Sequence, residues 1–339
     1  MKRSYRAIAL LALLSLLVPY AGAASACSWA AFTGGDASIV ARTMDWYYDD
    51  GAVVKGHGRG VAVKASDTPN ALEYKSKYAS LQVHGFGGVV IDAMNEKGLQ
   101  CAALFLDDSE LPPILPERRD VGILDFIGYV VSNFATVQEA VDSLGAINII
   151  PTTLGEKLSG GDGVPLGYKP ENTPLHFAMA DAGGDRAVIE FVEGKTKVYH
   201  GKEYDAMTNE PNYEVHLYLE DAGYQPNGSI LPVDRRMRAK LYLRDMYERG
   251  VEDHKRALLA MRGLLATVYA GTEEVDRVEN EVYPTIWAAL VDQTAKAYYI
   301  SRYDTWRTEY YDFSMFQPEK PEVVTLAPTA TPPAVAVPK

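Results

Sequence analysis

The sequence predicts a mixed α and β globular fold, on three observations. Of its 339 residues 47% are hydrophobic and 23% charged, apolar material for one large domain or two ordinary ones and too much for a disordered or fibrous chain. Short apolar, β-branched runs at residues 27–32, 38–44, 85–91, 99–106 and 177–190 are broken by Gly, Asp and Asn turns, which is strand patterning. Residues 123–134, 239–246 and 256–269 carry apolar side chains at helical spacing, and no internal repeat is present. Lys+Arg 33 against Asp+Glu 45 leaves a net charge of −12, so no basic field exists to hold a nucleic acid. Two cysteines and six scattered histidines without metal-ligand spacing give no reason to expect a bound metal or any cofactor.

In chain order, Lys2, Arg3 and Arg6 precede an apolar run over residues 7–20 and the small-residue site Ala24, Ser25, Ala26. Residues 1–26 read as a cleaved Sec-type signal peptide, which places the mature protein in the periplasm or outside the cell. The run is short for a bilayer, which needs roughly 20 apolar residues, and no later stretch approaches that length, so no membrane span is expected. The mature chain then begins at Cys27. Three readings of that cysteine stand open: a lipid-tethered lipoprotein, a Cys27–Cys101 disulfide, and an N-terminal nucleophile created by the cleavage itself.

Residues 27–32 and 38–44 form a hairpin around Gly34 and Gly35, so partner numbers sum to about 69 to 71 and Cys27 falls opposite residues 42–44. Arg42 and Asp45 therefore arrive at the new N-terminus. A cation there lowers a thiol pKa and a carboxylate orients the α-ammonium group, although a surface ion pair on a hairpin end would look the same. A cysteine at the chain start needs no histidine, because its own α-amine, with a pKa of about 7.7–8.0, takes the thiol proton.

Residues 85–91 and 99–106 read as buried strands around the Asn95–Gly98 turn, with Cys101 as a small apolar core residue. A helix over 123–134 precedes a second, opened by the capping box Thr136 to Glu139. Residues 155–174, rich in Gly, Pro and charge, read as a loop that could rim a site. Residues 177–190 are strand, turn, strand, and the aromatic stretch 283–311 reads as terminal antiparallel strands. The Pro/Ala/Thr-rich tail 318–339 has little to bury and is expected to be disordered, leaving 27–317 as one folded domain.

From Cys27 onward the chain resembles the choloylglycine hydrolase family of N-terminal nucleophile hydrolases, which holds bile salt hydrolases and penicillin V acylases. The resemblance rests on the Cys27 start, Arg42-Thr-Met-Asp45-Trp46, Met94-Asn-Glu-Lys-Gly-Leu99, Leu175-His-Phe-Ala-Met-Ala-Asp181, Thr208-Asn209-Glu-Pro211-Asn-Tyr213 and Arg235-Arg-Met-Arg238, in that order along one chain. It implies an α+β fold, a four-layer αββα sandwich of two antiparallel sheets covered by helices, and a possible homotetramer. It further implies Cys27 as nucleophile, Arg42 and Asp45 as the charged pair around it, Asn209 as an oxyanion donor and Arg235 as the completing polar group, with Arg236 the alternative register.

Where bile salt hydrolases carry an Asn after the Met-Asn-Glu-Lys-Gly-Leu motif, this chain has Phe105, whose main-chain N–H could still serve the oxyanion. Trp46 after Asp45 is similar to the Gram-negative penicillin V acylase branch, and Trp46 with Phe105 suggests an aromatic, apolar acyl pocket, unless both are ordinary core. The expected activity is therefore hydrolysis of a linear amide C–N bond in a small molecule with an aromatic or apolar acyl group, penicillin V first, N-acyl homoserine lactones second and conjugated bile salts third. The competing class is a non-catalytic exported binding protein, lipid-tethered or disulfide-stapled.

Overall fold

The computed structural model describes residues 27–152, 174–276, 281–305 and 307–329. The expected signal peptide, the expected rim loop apart from Pro174, and the last ten residues of the tail lie outside the described residues.

The chain opens with the hairpin β1 (Ser28–Gly34) and β2 (Ala37–Asp45), in which Ser28 pairs with Thr43 and Trp29 with Arg42. Those pairs sum to 71, within the expected register. Gly35 holds the turn at φ 56, and a Cβ there would sit 2.4 Å from the Glu252 carbonyl oxygen, so only glycine fits. A first antiparallel sheet runs in the order β14 (Ala206–Met207), β1, β2, β17 (Thr285–Asp292), β18 (Ala297–Arg302), β19 (Thr308–Asp312). The second runs β13 (Lys195–His200), β12 (Arg186–Val192), β11 (Leu175–Ala180), β8 (Gln100–Phe105), β7 (Val89–Asn95), β6 (Ser80–Gly85), β3 (Val53–His57), β20 (Val323–Thr325). Three two-stranded ribbons stand apart from these sheets: β4 (Ala62–Lys64) with β5 (Glu73–Lys75), β9 (Arg119–Gly122) with β10 (Ile147–Ile150), and β15 (Val275–Asp276) with β16 (Glu281–Val282).

Five helices complete the description: α1 (Phe126–Asn133), α2 (Val137–Ser143), α3 (Tyr213–Asp221), α4 (Pro232–Glu248) and α5 (His254–Val268). Thr136 caps α2 by accepting from the Glu139 N–H, as its sequence predicts, and Pro232 opens α4 where a missing N–H is harmless. Three apolar layers separate four layers of structure. Trp29, Val40, Met44, Leu104, Trp287 and Tyr298 fill the space between the sheets. Phe126 and Val130 of α1 pack on Cys101 and Phe177 of the second sheet, while Leu243 of α4 and Leu258 and Met261 of α5 pack on Ile39 and Ala41 of the first. The result is the αββα sandwich. Strand alternation then sorts β2: Val40, Arg42 and Met44 face the second sheet, and Ile39, Ala41, Thr43 and Asp45 face the helices.

Two expectations are corrected. Residues 85–91 are not one strand, because Phe86, Gly87 and Gly88 take φ of 49, 75 and 130 and turn the chain between β6 and β7. The tail is ordered at least to residue 329. β20 pairs with β3, Leu326 is 7% exposed, and its N–H donates to the Val54 carbonyl at 2.9 Å. Composition missed it because an edge strand is recruited through main-chain bonds, which need no apolar density.

Candidate active site

Cys27 stands immediately before β1 and is 3% exposed. Its Sγ lies 3.7 Å from Met44 Sδ, on the inter-sheet face that the register assigns to both. Burial raises the thiol pKa; Arg42 and Arg235 oppose that rise. Cys27 and Cys101 are both free thiols, and they face different apolar layers on opposite sides of the second sheet, so the disulfide reading is overturned.

Arg42 and Asp45 both reach the neighbourhood of Cys27, but they do not pair with one another. Three residues apart on a strand, they project from opposite faces. Arg42 Nη2 donates to the Ala103 carbonyl of β8 at 2.8 Å, and its guanidinium lies 5.6 Å from the Trp287 ring centre. Asp45 is fully buried and held by two hydroxyls, Thr285 Oγ1 to Oδ1 at 2.6 Å and Thr43 Oγ1 to Oδ2 at 3.1 Å. Thr43 Oγ1 in turn accepts the Ser28 N–H at 3.0 Å. Among the described residues no cation is within ion-pair distance of Asp45, and burial pushes its pKa up to about 7.

Arg235, on the first turns of α4, is the residue that reaches Cys27. Its Nη1 donates to the Cys27 carbonyl at 2.6 Å and to Ser28 Oγ at 2.7 Å, its Nε to the Ile230 carbonyl at 2.7 Å, and its Nη2 to Asn209 Oδ1 at 3.1 Å. Arg236 points elsewhere, to Glu220, Tyr213 and the Ala206 carbonyl. Adjacent arginines lie about 100° apart on a helix, so one residue of register selects a different set of partners.

Asn209 follows β14, and its Nδ2 donates to the Phe105 carbonyl at 2.9 Å. Leu106 N–H donates to the Pro174 carbonyl, so by ladder alternation the Phe105 main chain turns its polar edge away from β11, toward Arg42 and Asn209. Phe105 and Trp46 face one another with ring centres 6.3 Å apart, and Phe86 meets Trp46 edge-on at 5.6 Å.

The aromatic side chains border an apolar cleft that Cys27, Arg42 and Met44 also line. Trp46, Tyr48, Phe86, Phe105, Ile123, Leu124 and Leu175 supply half of the rest. The sequence reading missed Tyr48, Phe86, Ile123 and Leu124, which come from three separate places in the chain. It also missed Asp92, whose signal was a carboxylate inside an otherwise apolar strand. Among the described residues no group of three or more His, Cys, Asp or Glu side chains is arranged to hold a metal ion, and no helix is long and apolar enough to cross a membrane.

The chain belongs to the choloylglycine hydrolase family of linear amide C–N hydrolases, whose profile matches residues 27–227. It is 31% identical over 224 residues to penicillin V acylase of Pectobacterium atrosepticum, covering 62% of this chain and 57% of that protein. Bile salt hydrolase/transferase of Clostridium perfringens is 27% identical over 162 residues, 45% of this chain and 44% of that one. The matched stretch thus spans less than two thirds of either relative. Among solved structures, penicillin V acylase from Agrobacterium tumefaciens superposes with a TM-score of 0.74 at 26% identity, covering 88% of this chain and 90% of that one. A single-site variant of conjugated bile acid hydrolase from Clostridium perfringens shares the fold with a TM-score of 0.76 at 19% identity, over 90% and 98% of the two chains.

Proposed function

We propose that the chain is an exported penicillin V acylase-like amidohydrolase whose nucleophile is Cys27, exposed as the N-terminal residue when residues 1–26 are removed. The observation that carries the reading is the position of Cys27: a buried thiol on the wall of an apolar cavity, with Arg42, Asn209 and Arg235 arrayed around it. The buried, hydroxyl-bound Asp45 supports it, since an α-ammonium group at Cys27 supplies the cation this carboxylate lacks.

In the reaction the α-amine takes the Sγ proton and the thiolate attacks the amide carbonyl, forming a C–S bond and a tetrahedral oxyanion. The Asn209 amide and the Phe105 main-chain N–H hold that oxyanion; Arg235 fixes Asn209 by occupying Oδ1. The α-ammonium returns its proton to the leaving nitrogen as the C–N bond breaks. Water then cleaves the thioester and releases the acid. Trp46, Phe86 and Phe105 form an aromatic seat for a phenoxyacetyl group, so penicillin V is the first substrate, an N-acyl homoserine lactone the second, and a conjugated bile salt the third.

The test is the intact mass of the exported protein followed by turnover of penicillin V, an acyl homoserine lactone and glycocholate by the parent and Cys27→Ser. A chain beginning at unmodified Cys27, active as parent and inactive as the folded serine variant, is expected. A lipid adduct on Cys27, residues left ahead of it, or full activity in Cys27→Ser would overturn the mechanism and favour the binding-protein reading.

A further inference from the structure

Arg42 is 1% exposed and brings a full positive charge into the space between the sheets. Among the described residues one carboxylate lies within ion-pair distance of it, Asp92 of β7, with Oδ2 3.3 Å from Arg42 Nε and no exposure of its own. Asp92 is gripped from two sides. Tyr298 of β18 donates its hydroxyl to Oδ1 at 2.6 Å, and Gln100 of β8 donates Nε2 to Oδ2 at 2.9 Å. Gln100 Oε1 accepts the Trp29 indole N–H at 3.0 Å, so strands of both sheets converge on one carboxylate. Arg42 Nη2 meanwhile sits 3.7 Å from Met44 Sδ, the sulfur that Cys27 Sγ approaches from the other side.

We propose that Asp92 is a positioning residue of this site, holding the Arg42 guanidinium beside Cys27 and offsetting its charge so that the thiol keeps its proton until the α-amine takes it. The proposal rests on the reading of Cys27 as nucleophile. An unbalanced guanidinium in this dry space would favour the thiolate at rest and leave the amine protonated and idle as a base. The charged groups acting on Cys27 are Arg42 and Asp45 of β2 and Arg235 of α4; those bordering Asp92 are Arg42, Tyr298 of β18 and Cys101 of β8. Burial raises the Asp92 pKa and Arg42 is the foremost of the influences opposing that rise, so the two side chains act on each other across the ion pair.

That dependence supplies the test. Alkylation of Cys27 by iodoacetamide, followed by mass spectrometry across pH in the chain beginning at Cys27, reads the thiol directly and needs no substrate. Asp92→Asn is expected to move the alkylation midpoint acidward by about one pH unit. The same change in an Arg42→Met background is expected to move it hardly at all, because the guanidinium that Asp92 holds and offsets is absent there. An unmoved midpoint in folded Asp92→Asn, or an equal shift in both backgrounds, would overturn the proposal. Should Asp92→Asn not fold, the Arg42→Met, Asp92→Asn pair, which leaves no lone buried charge, is compared with Arg42→Met alone. Matching midpoints support the role and differing ones end it. Failure of the nucleophile reading shows itself separately, as full turnover in Cys27→Ser.

Discussion

Arg235 donates to Oδ1 of Asn209, and this single bond decides that the amide nitrogen of Asn209 is the end turned toward Phe105. Lysine at 235 would offer one point charge in place of a planar fork that serves four acceptors. Arg235→Lys is expected to lower kcat about a hundredfold and to cost about 2 kcal/mol of stability, the penalty of buried acceptors left unmet. Steady-state kinetics and urea unfolding check both; an unchanged kcat would remove Arg235 from the site.

In the proposed mechanism Asn209→Ala removes one donor to the oxyanion. A loss of about 10²–10³ in kcat is expected, with KM within about threefold, as for other oxyanion donors. A change confined to KM would make Asn209 a binding group instead.

Phe105→Leu separates the ring from the main chain. The main-chain N–H is untouched, so kcat for penicillin V should stay within about twofold, while loss of the contact with Trp46 raises KM by roughly 1 kcal/mol, or fivefold. A collapse in kcat would contradict a main-chain role.

Burial holds three histidines neutral: His57 and His216 titrate near about 3 and His84 near about 4. Unfolded, each would titrate near about 6.5. The folded chain therefore binds fewer protons than the unfolded one between these values, so their contribution is fully present above about pH 6.5 and lost as pH falls to about 4 for His84 and about 3 for His57 and His216. Imidazole NMR signals of all three are expected to remain those of the neutral ring at pH 5, and His84→Gln should flatten the acid slope of stability by up to about 1.4 kcal/mol per pH unit.

A Cβ on Gly58 would lie 1.7 Å from the Lys320 carbonyl oxygen. Gly58→Ala should therefore lift the tail from β3, with an expected loss of about 2 kcal/mol, the worth of burying Leu326. Limited proteolysis beyond residue 318 would accelerate in the variant; identical cleavage rates would show that the tail contributes nothing.

Local geometry made the hairpin legible: the turn at Gly35 fixes its register, and Arg42 and Asp45 arrive near Cys27 with no knowledge of the rest of the fold. The same reading could not tell that Arg42 pairs with Asp92 in place of Asp45, because the two residues meet across sheets and sequence spacing carries no record of that. Arg235 was assigned by resemblance alone, with Arg236 the alternative register, since both are buried on α4 and only their long-range partners differ. The cavity wall was half visible, Trp46 and Phe105 from their neighbours in motifs, Phe86 only once the turn after β6 set it at φ 49 beside Trp46.

β2 is completed by β17, and Thr285 meets Asp45 across 240 residues of chain. The hairpin that carries Cys27 thus keeps its outer edge open until residues 285–292 reach it during folding. Such high contact order slows assembly and leaves a β-branched, largely uncharged edge available to other nascent copies. Substitutions that weaken β17 would accordingly reduce soluble yield before they altered turnover by the molecules that do fold.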